Sequence, residues 1–177
     1  MAVERWCGVV SPAERALLAR ARPPVLDVCC GPGRIAAHLA WQGVHALGID
    51  VAAPAVRLAR ARGAPATVGS VFGPVPGAGA WGTVVLLDGN LGIGGDPAAL
   101  LVRVRGLLAE GGRVLCDVEP PGRPTRRLTL GLEGSAARPQ PWAQVGADGL
   151  AGVAGAAGLA VRHLWTAEGR WFAELRT

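Results

Sequence analysis

Short apolar segments alternate with helix-like segments between residues 25 and 122. The apolar segments read VLDVCC, VHALGID, ATVGS, WGTVVLLD and RVLCDVEP, and each is apolar along most of its length. Strands of this kind are typical of a parallel sheet, because parallel strands are joined by helical crossovers that bury both faces. The alternation therefore predicts an α/β fold, a doubly wound and mostly parallel sheet with helices on both faces.

Capping residues mark the ends of the intervening helices. In SPAERALLARAR, Ser11 can cap a helix, and Glu14 completes a capping box three residues later. Asp96 and Pro97 form a similar start for the helix that precedes the fifth strand. Glycine is a frequent helix stop, so we expect that helix to end at Gly111.

The C-terminal part of the chain has a different pattern. AVRHLWTAEGRWFAELRT predicts two strands joined at Glu168 and Gly169, a C-terminal antiparallel hairpin that would complete a seven-stranded sheet. RRLTLGLE fits either a strand or an extended loop, and ADGLAGVAGAAG fits a helix of small residues. We expect residues 1–22 to form an N-terminal helical segment, with a possible role as a lid, and residues 23–177 to form a single domain.

Composition excludes several classes of function. All eighteen basic residues are arginines, and they are scattered without interleaved aromatic residues, which argues against a nucleic-acid partner despite the net charge of +5. The four cysteines lack C-x-x-C spacing, so no metal site is predicted. No long apolar segment or leader-like start is present, and we expect a cytoplasmic protein without a membrane partner.

Acidic residues lie at the ends of four predicted strands. Asp27 precedes a glycine turn, and Asp50, Asp88 and Glu119 end the second, fourth and fifth strands. Parallel strands bring their carboxyl ends to one edge, where ligands of such sheets bind. Because clustered carboxylates repel one another, we expect a ligand rich in donors or positive charge at this edge.

The turn CCGPGR narrows the choice of ligand. Gly31 and Gly33 let the backbone lie close to a ligand, and Asp50 follows Gly31 by 19 residues, the spacing of a carboxylate that binds ribose hydroxyls. GPGRIA also fits a dinucleotide fingerprint, but Asp27 would repel a pyrophosphate at the helix N-terminus. An adenosine compound that carries an amine and no phosphate, such as S-adenosylmethionine, fits better.

At these residues the sequence resembles the class I S-adenosylmethionine-dependent methyltransferases, which have a Rossmann-like fold. The resemblance covers Val25 to Gly122, where VLDVCCGPG is similar to the first motif of the family, GIDVAAPAV to the second, GSVF to the third and VVLLDGN to the fourth. LLAEGGRVLCDVEPPG is similar to the fifth strand with its preceding helix and Gly-Gly turn. The terminal hairpin also resembles the family, whose seventh strand is antiparallel.

The resemblance implies a cofactor, S-adenosyl-L-methionine, and a role for each matching residue. The methionine portion would be held by Asp27 and by the backbone from Cys29 through Gly31 to Gly33. Asp50 would bind the ribose, and Val51 would pack on the face of the adenine. Ser70 and Val71 would contact the edge of the adenine. Asp88 and Asn90 would line the space near the transferred methyl, and Asp88 and Glu119 are the candidate catalytic residues.

Two positions depart from the family pattern. Cys29 stands where the first glycine of the turn is usual, so its φ must be negative or its backbone strained. Ser70 replaces the usual adenine-binding aspartate, which would weaken one hydrogen bond to the base.

The predicted activity is transfer of a methyl group to a small-molecule acceptor, such as a secondary metabolite. Two alternatives stay open: an NAD(P)-dependent oxidoreductase, and a noncatalytic protein that binds S-adenosylmethionine. The sequence identifies neither the acceptor nor the oligomeric state.

Overall fold

The computed structural model of the protein describes residues 6–131 and 139–177. The helices in these ranges are α1 (Pro12–Leu18), α2 (Arg34–Trp41), α3 (Ala53–Ala61), α4 (Pro97–Arg105) and α5 (Leu150–Ala156). The strands are β1 (Val25–Val28), β2 (Ala46–Asp50), β3 (Ala66–Val68), β4 (Trp81–Leu86), β5 (Leu108–Val118), β6 (Arg126–Leu130), β7 (Gln140–Gln144), β8 (Ala160–Ala167) and β9 (Arg170–Arg176). Single 3-10 segments, Asn90–Gly95 and Ala147–Gly149, precede α4 and α5.

Seven strands form one sheet in the order β3-β2-β1-β4-β5-β9-β8. Strands β1 to β5 are parallel, and β9 is antiparallel to both β5 and β8. The predicted doubly wound sheet with a C-terminal antiparallel hairpin is therefore confirmed. The strand order reverses between β1 and β4, so a ligand crevice is expected beyond the carboxyl ends of these two strands.

Helix α1 is anchored at its N-terminus by the predicted capping box. Ser11 Oγ accepts a hydrogen bond from the Glu14 amide, and the Glu14 carboxylate accepts one from the Ser11 amide at 2.9 Å. The apolar face of α1 packs in a core cluster in which Leu17, Val25 and Leu39 are buried. The lid role suggested for residues 1–22 stays a prediction.

Helix α4 is shorter than predicted. It ends at Arg105, and β5 already begins at Leu108. The carbonyl of Leu107 accepts hydrogen bonds from the amides of Gly79 and Trp81, in the segment that enters β4. The predicted helix end at Gly111 is wrong because sheet contacts, which a local apolar period does not show, override the helical period.

Strands β6 and β7 form a separate antiparallel hairpin, which settles RRLTLGLE as a strand as far as residue 130. Residues 132 and 133, the end of that segment, lie outside the described residues. The hairpin packs on the 3-10 segment after β4, where a Cβ on Gly92 would lie 1.8 Å from the carbonyl oxygen of Ala143. The hairpin thus covers part of the carboxyl edge of the sheet.

No helix within the described ranges is both long enough and apolar enough to span a lipid bilayer.

Candidate functional site

Asp27 lies on β1 at the centre of the crevice and is only 3% exposed. Its Oδ2 atom is buried and has no hydrogen-bond partner among the described residues. Burial raises the pKa of Asp27 to about 7, although the charge of Arg34 and a hydrogen bond from the Ala36 amide to the carboxylate oppose this rise. A buried carboxylate oxygen without a partner costs stability, so this position is prepared for a donor that the chain does not supply.

The glycine turn after β1 leaves its backbone open at one residue and packed at another. Gly31 has φ of 52°, and nothing lies within 4 Å of the position that a Cβ would occupy. Gly33 has φ of 81°, and a Cβ there would lie 2.6 Å from the Cβ of Ala59 on α3. Gly31 therefore leaves room for a ligand, whereas Gly33 permits close packing of helices α2 and α3.

Two backbone conformations were predicted for Cys29, a negative φ or a strained one, and the structure has the strained one. Its φ is 57°, in the left-handed region that glycine occupies at little cost. Burial and the charge of Asp50 raise the pKa of the Cys29 thiol, and burial likewise raises those of Cys30 and Cys116. These thiols stay protonated at neutral pH, which opposes a role as nucleophiles or metal ligands.

Asp50 ends β2 and is bound to the same turn. Its Oδ2 accepts a hydrogen bond from the Gly31 amide, and its Oδ1 accepts one from the Ala52 amide, both at 2.8 Å. The Cys29 thiol also hydrogen-bonds to this carboxylate, and because an ionised carboxylate has about four acceptor sites, one remains for another donor. Asp27 and Asp50, here called the glycine-loop carboxylates, form no ion pair with an arginine within the described ranges.

Exposed apolar side chains follow β2 and β3 at the same edge. Val51 is 70% exposed directly after β2, as a residue that packs on adenine would be. Val71, predicted to meet the adenine edge, instead points its side chain into the core, and the exposed ring of this loop belongs to Phe72. Ser70 Oγ accepts a hydrogen bond from the Phe72 amide at 3.2 Å.

A second group of carboxylates at this edge is neutralised by arginines. Asp88 Oδ2 lies 2.6 Å from Arg34 Nη2, and Arg170 Nη2 lies 3.3 Å from Asp88 Oδ1 and 2.7 Å from Asp117 Oδ2. Both guanidinium groups also pair with the buried carboxylate of Glu14 on α1. We call Glu14, Arg34, Asp88, Asp117 and Arg170 the ion-paired cluster.

The ion-paired cluster shows that arginines of the chain, and not only a ligand, offset the acidic residues at this edge. Burial alone would raise the pKa of Glu14, but the Ser11 amide, Arg170 and Arg34 together hold it below its ordinary value. Burial raises the pKa of Asp117, and the Gly89 amide and Arg170 offset part of the rise. Arg34 pairs with one oxygen of Asp88 and Arg170 with the other, so the geometry disfavours its predicted role as a base.

The turn after β4 is held from two sides. Asp117 accepts hydrogen bonds from the amides of Asp88 and Gly89, both at 3.0 Å. The side-chain amide of Asn90 donates to the carbonyls of Val28 at 2.9 Å and Cys29 at 3.3 Å. Asn90, predicted to line the space near the methyl group, therefore joins this turn to the glycine turn.

Beyond β4 and β5 the hairpin encloses a cavity of about 310 Å³. The lining comprises carboxylates, an amide and mostly apolar residues: Asp88, Gly89, Leu91, Gly92, Asp117, Val118, Glu119, Leu128, Leu130, Trp142, Ala143, Gln144 and Val145. Glu119 directly follows β5, and its Oε1 accepts only a long hydrogen bond from Gln144 Nε2, at 3.4 Å. The structure thus brings Glu119 to the cavity, whereas Asp27 and Asp50 lie at the glycine turn.

Sequence reasoning missed Arg34, Arg170 and Asp117. One signal was available for Arg34, which opens helix α2 although the N-terminus of a helix disfavours a cation. A basic residue there indicates a nearby carboxylate. No set of three or more His, Cys, Asp or Glu side chains in the described parts of the chain is arranged to hold a metal ion.

Comparison with solved structures shows the same fold in methyltransferases. A SAM-dependent methyltransferase from Bacteroides fragilis, in complex with S-adenosyl-L-homocysteine, has a TM-score of 0.79 at 22% identity, over 99% of this chain and 81% of that one. The Burkholderia thailandensis 1,6-didemethyltoxoflavin-N1-methyltransferase has a TM-score of 0.68 at 19% identity, over 95% and 77%. The glycopeptide N-methyltransferase MtfA, complexed with sinefungin, has a TM-score of 0.70 at 15% identity, over 95% and 94%.

Sequence comparison agrees with the structural one. No curated protein is a significant match. A family model described as a methyltransferase domain matches residues 25–112, which span the glycine turn, both glycine-loop carboxylates and strands β1 to β4. The chain belongs to the class I S-adenosylmethionine-dependent methyltransferase family.

Proposed function

We propose that this protein transfers the methyl group of S-adenosylmethionine to a small-molecule acceptor bound in the cavity beneath the β6–β7 hairpin. The observation that carries the proposal is the buried Oδ2 atom of Asp27, which has no partner in the described part of the chain and belongs to the strand that leads into the open turn at Gly31. An ammonium group is the donor that such an oxygen accepts best. The α-amino group of S-adenosylmethionine supplies one.

The remaining residues of the crevice fit the cofactor as well. Asp50 keeps an acceptor site for a ribose hydroxyl, and Val51 and Phe72 offer exposed apolar surface for adenine. Ser70 would meet the edge of the base, as the family resemblance implies. When bound, the cofactor supplies a methyl group on a sulfonium, which an acceptor lone pair can displace without further activation.

Because the methyl group is already activated, the residues of this chain serve mainly to orient the acceptor and to exclude water. Asp88 and Gly89 line the cavity, and Asn90 joins the same turn to the glycine turn, so cavity and crevice meet there. Glu119 is our candidate for binding the acceptor and for taking a proton when the acceptor carries one. In the proposal, Asp88 and Asn90 shape the site, and Asp88 does not act as a base.

Known acceptors of similar folds are consistent with a small or modest substrate. The Burkholderia enzyme holds 1,6-didemethyltoxoflavin, and MtfA is a glycopeptide N-methyltransferase. The cavity of about 310 Å³ lies at the lower end of the range for small-molecule pockets. The matches reported above are to methyltransferases, which weighs against an oxidoreductase. A cytoplasmic location stays a prediction.

Calorimetric titration with S-adenosylhomocysteine tests the cofactor site. We expect wild-type protein to bind it, and we expect Asp27→Ala and Asp50→Ala each to weaken binding roughly 10- to 100-fold, the range for loss of a hydrogen bond to a charged group. Glu110→Ala, an exposed position, is the matched control and should bind like wild type. Failure of the wild type to bind, or equal binding by all three variants, would contradict the proposal.

A further inference from the structure

We propose that the methyl acceptor is an amine with a flat, apolar body, its ammonium group bound by Glu119 and its body packed against Trp142. For transfer, Glu119 takes one proton from the ammonium nitrogen, the freed lone pair bonds to the methyl carbon, and the carbon–sulfur bond of the cofactor breaks to leave S-adenosylhomocysteine. This inference rests on the function proposed above, since it concerns the acceptor cavity of the same site. Two observations support the inference: the charge balance of the cavity and the shape of its apolar wall.

The charge balance of the cavity is negative. Of its three carboxylates, Asp88 and Asp117 are paired with arginines of the ion-paired cluster. Glu119 forms no ion pair within the described ranges, and no arginine lines the cavity there. Glu119 therefore offers one carboxylate that a cationic ligand could neutralise.

The side-chain amide of Gln144 connects Glu119 to a basic group, Arg126. Arg126 Nε donates to Gln144 Oε1 at 2.8 Å, and Gln144 Nε2 donates to Glu119 Oε1 at 3.4 Å. Arg126 is exposed and is not part of the cavity wall. Gln144 thus orients one oxygen of Glu119, and no described donor occupies the other.

An aromatic and aliphatic wall faces this carboxylate. Leu128 and Trp142 are a cross-strand pair of the hairpin, so their side chains lie on the same face of it, and Leu130 lies two residues further along β6. The indole of Trp142 lies over the turn after β4, where a Cβ on Gly92 would be 2.8 Å from Cδ1. An indole face attracts both flat apolar groups and cations.

An acidic or phosphorylated acceptor would find the opposite environment. Its charge would lie beside Glu119 without an arginine in the described wall to pair with it, and burying an unpaired like charge disfavours binding. A neutral alcohol would fit the apolar wall but would gain less from Glu119 than a charged donor does. The cavity therefore discriminates by charge among ligands of the same shape.

Three probes that share an indole ring separate these cases: tryptamine, the neutral tryptophol, and indole-3-propionate. Each is titrated calorimetrically into protein saturated with S-adenosylhomocysteine. We expect tryptamine to bind at least 10-fold more tightly than tryptophol, and indole-3-propionate to bind most weakly. Glu119→Gln should weaken tryptamine binding at least 10-fold and leave tryptophol within 2-fold, whereas Trp142→Leu should weaken both. Glu110→Gln is the matched control.

Three results would overturn the inference: tryptamine does not bind, indole-3-propionate binds as tightly as tryptamine, or Glu119→Gln leaves tryptamine binding unchanged. The saturation step separates this failure from that of the proposed function. If S-adenosylhomocysteine itself does not bind, the proposed function fails and this inference with it. If it binds and the amine preference is absent, only the acceptor class is wrong.

Discussion

Two groups of carboxylates lie at the same edge of the sheet, and they differ in whether arginines of the protein neutralise them. In the ion-paired cluster, Glu14, Asp88 and Asp117 are bonded to arginines from α2 and β9. The glycine-loop carboxylates have only backbone amides and the Cys29 thiol as hydrogen-bond partners, and Asp27 Oδ2 has none among the described residues. The carboxylates of the ion-paired cluster, which pair with arginines of the chain, are structural. The glycine-loop carboxylates, which have no such ion pairs within the described ranges, are available to a ligand.

The lack of a partner for Asp27 Oδ2 within the described residues lowers the stability of the ligand-free protein. A buried polar atom without a partner destabilises the folded state, and binding of a cationic ligand would offset that loss. The ion-paired cluster has no such dependence, because its partners belong to the chain. We therefore expect the two groups to respond differently to mutation, to pH and to the cofactor.

The largest effect is expected when the ion-paired cluster loses one of its cations. Arg34→Met removes the guanidinium that pairs with Glu14 and Asp88, and Arg34 and Glu14 are both almost fully buried. Breaking one partner of a buried pair leaves uncompensated charge, so the free energy of unfolding should fall by about 3–5 kcal/mol. Urea denaturation followed by circular dichroism measures the change.

Arg57→Met on the exposed surface of α3 is the matched control and should change stability by less than about 0.5 kcal/mol. A loss below about 1 kcal/mol for Arg34→Met would show that the cluster does not depend on its arginines. The contrast between the two carboxylate groups would then have no energetic basis.

The next largest effect is expected at Asp27, where a substitution should increase the free energy of unfolding by an amount that depends on pH. Burial raises the folded-state pKa of Asp27 from 3.8 to about 7. The cost of ionising this group is therefore absent below pH 3.8, grows between the two pKa values and is complete above pH 7. Asp27→Asn removes the charge, so its stability relative to wild type should rise by roughly 2 kcal/mol between pH 5 and pH 8.

Asp117→Asn is the comparison variant, because Asp117 has Arg170 and two backbone amides as partners. It should destabilise the protein at pH 8, since it removes an ion pair and leaves Arg170 with one carboxylate fewer. Chemical denaturation at both pH values gives the differences. An Asp27→Asn variant less stable than wild type at pH 8 would mean that the Ala36 amide and the charge of Arg34 outweigh the cost of burying the Asp27 carboxylate.

The fold could be predicted from the sequence because its signals are local. Apolar strands, capping residues and glycines each act within a few residues, and parallel strands then place Asp27, Asp50 and Glu119 at one edge without further information. Asn90 and Val71 were placed at this edge as well, but their contacts differ from the prediction. The side chain of Asn90 binds backbone carbonyls, and that of Val71 is buried in the core.

The ion-paired cluster could not be predicted in the same way, because it joins distant parts of the chain. Its five arginine–carboxylate pairs are separated by 20, 53, 54, 82 and 156 residues, and long side chains from three elements must meet at one point. Such contacts depend on the angle at which α1 and β9 pack on the sheet. The cavity was missed for a similar reason, since it exists only because the hairpin folds over the turn after β4.

The smallest expected effect concerns the turn that both glycine-loop carboxylates adjoin. Cys29 has φ of 57°, which costs a residue with a Cβ about 1–2 kcal/mol, whereas glycine pays about 0.5–1 kcal/mol in unfolded-state entropy. Cys29→Gly should therefore raise the free energy of unfolding by about 0.5 kcal/mol. Cys29→Ala is the matched control, because it removes the thiol and keeps the strained Cβ, and thermal or urea denaturation ranks the two variants. If Cys29→Gly is less stable than Cys29→Ala, the thiol or its packing, and not backbone strain, decides the residue at this position.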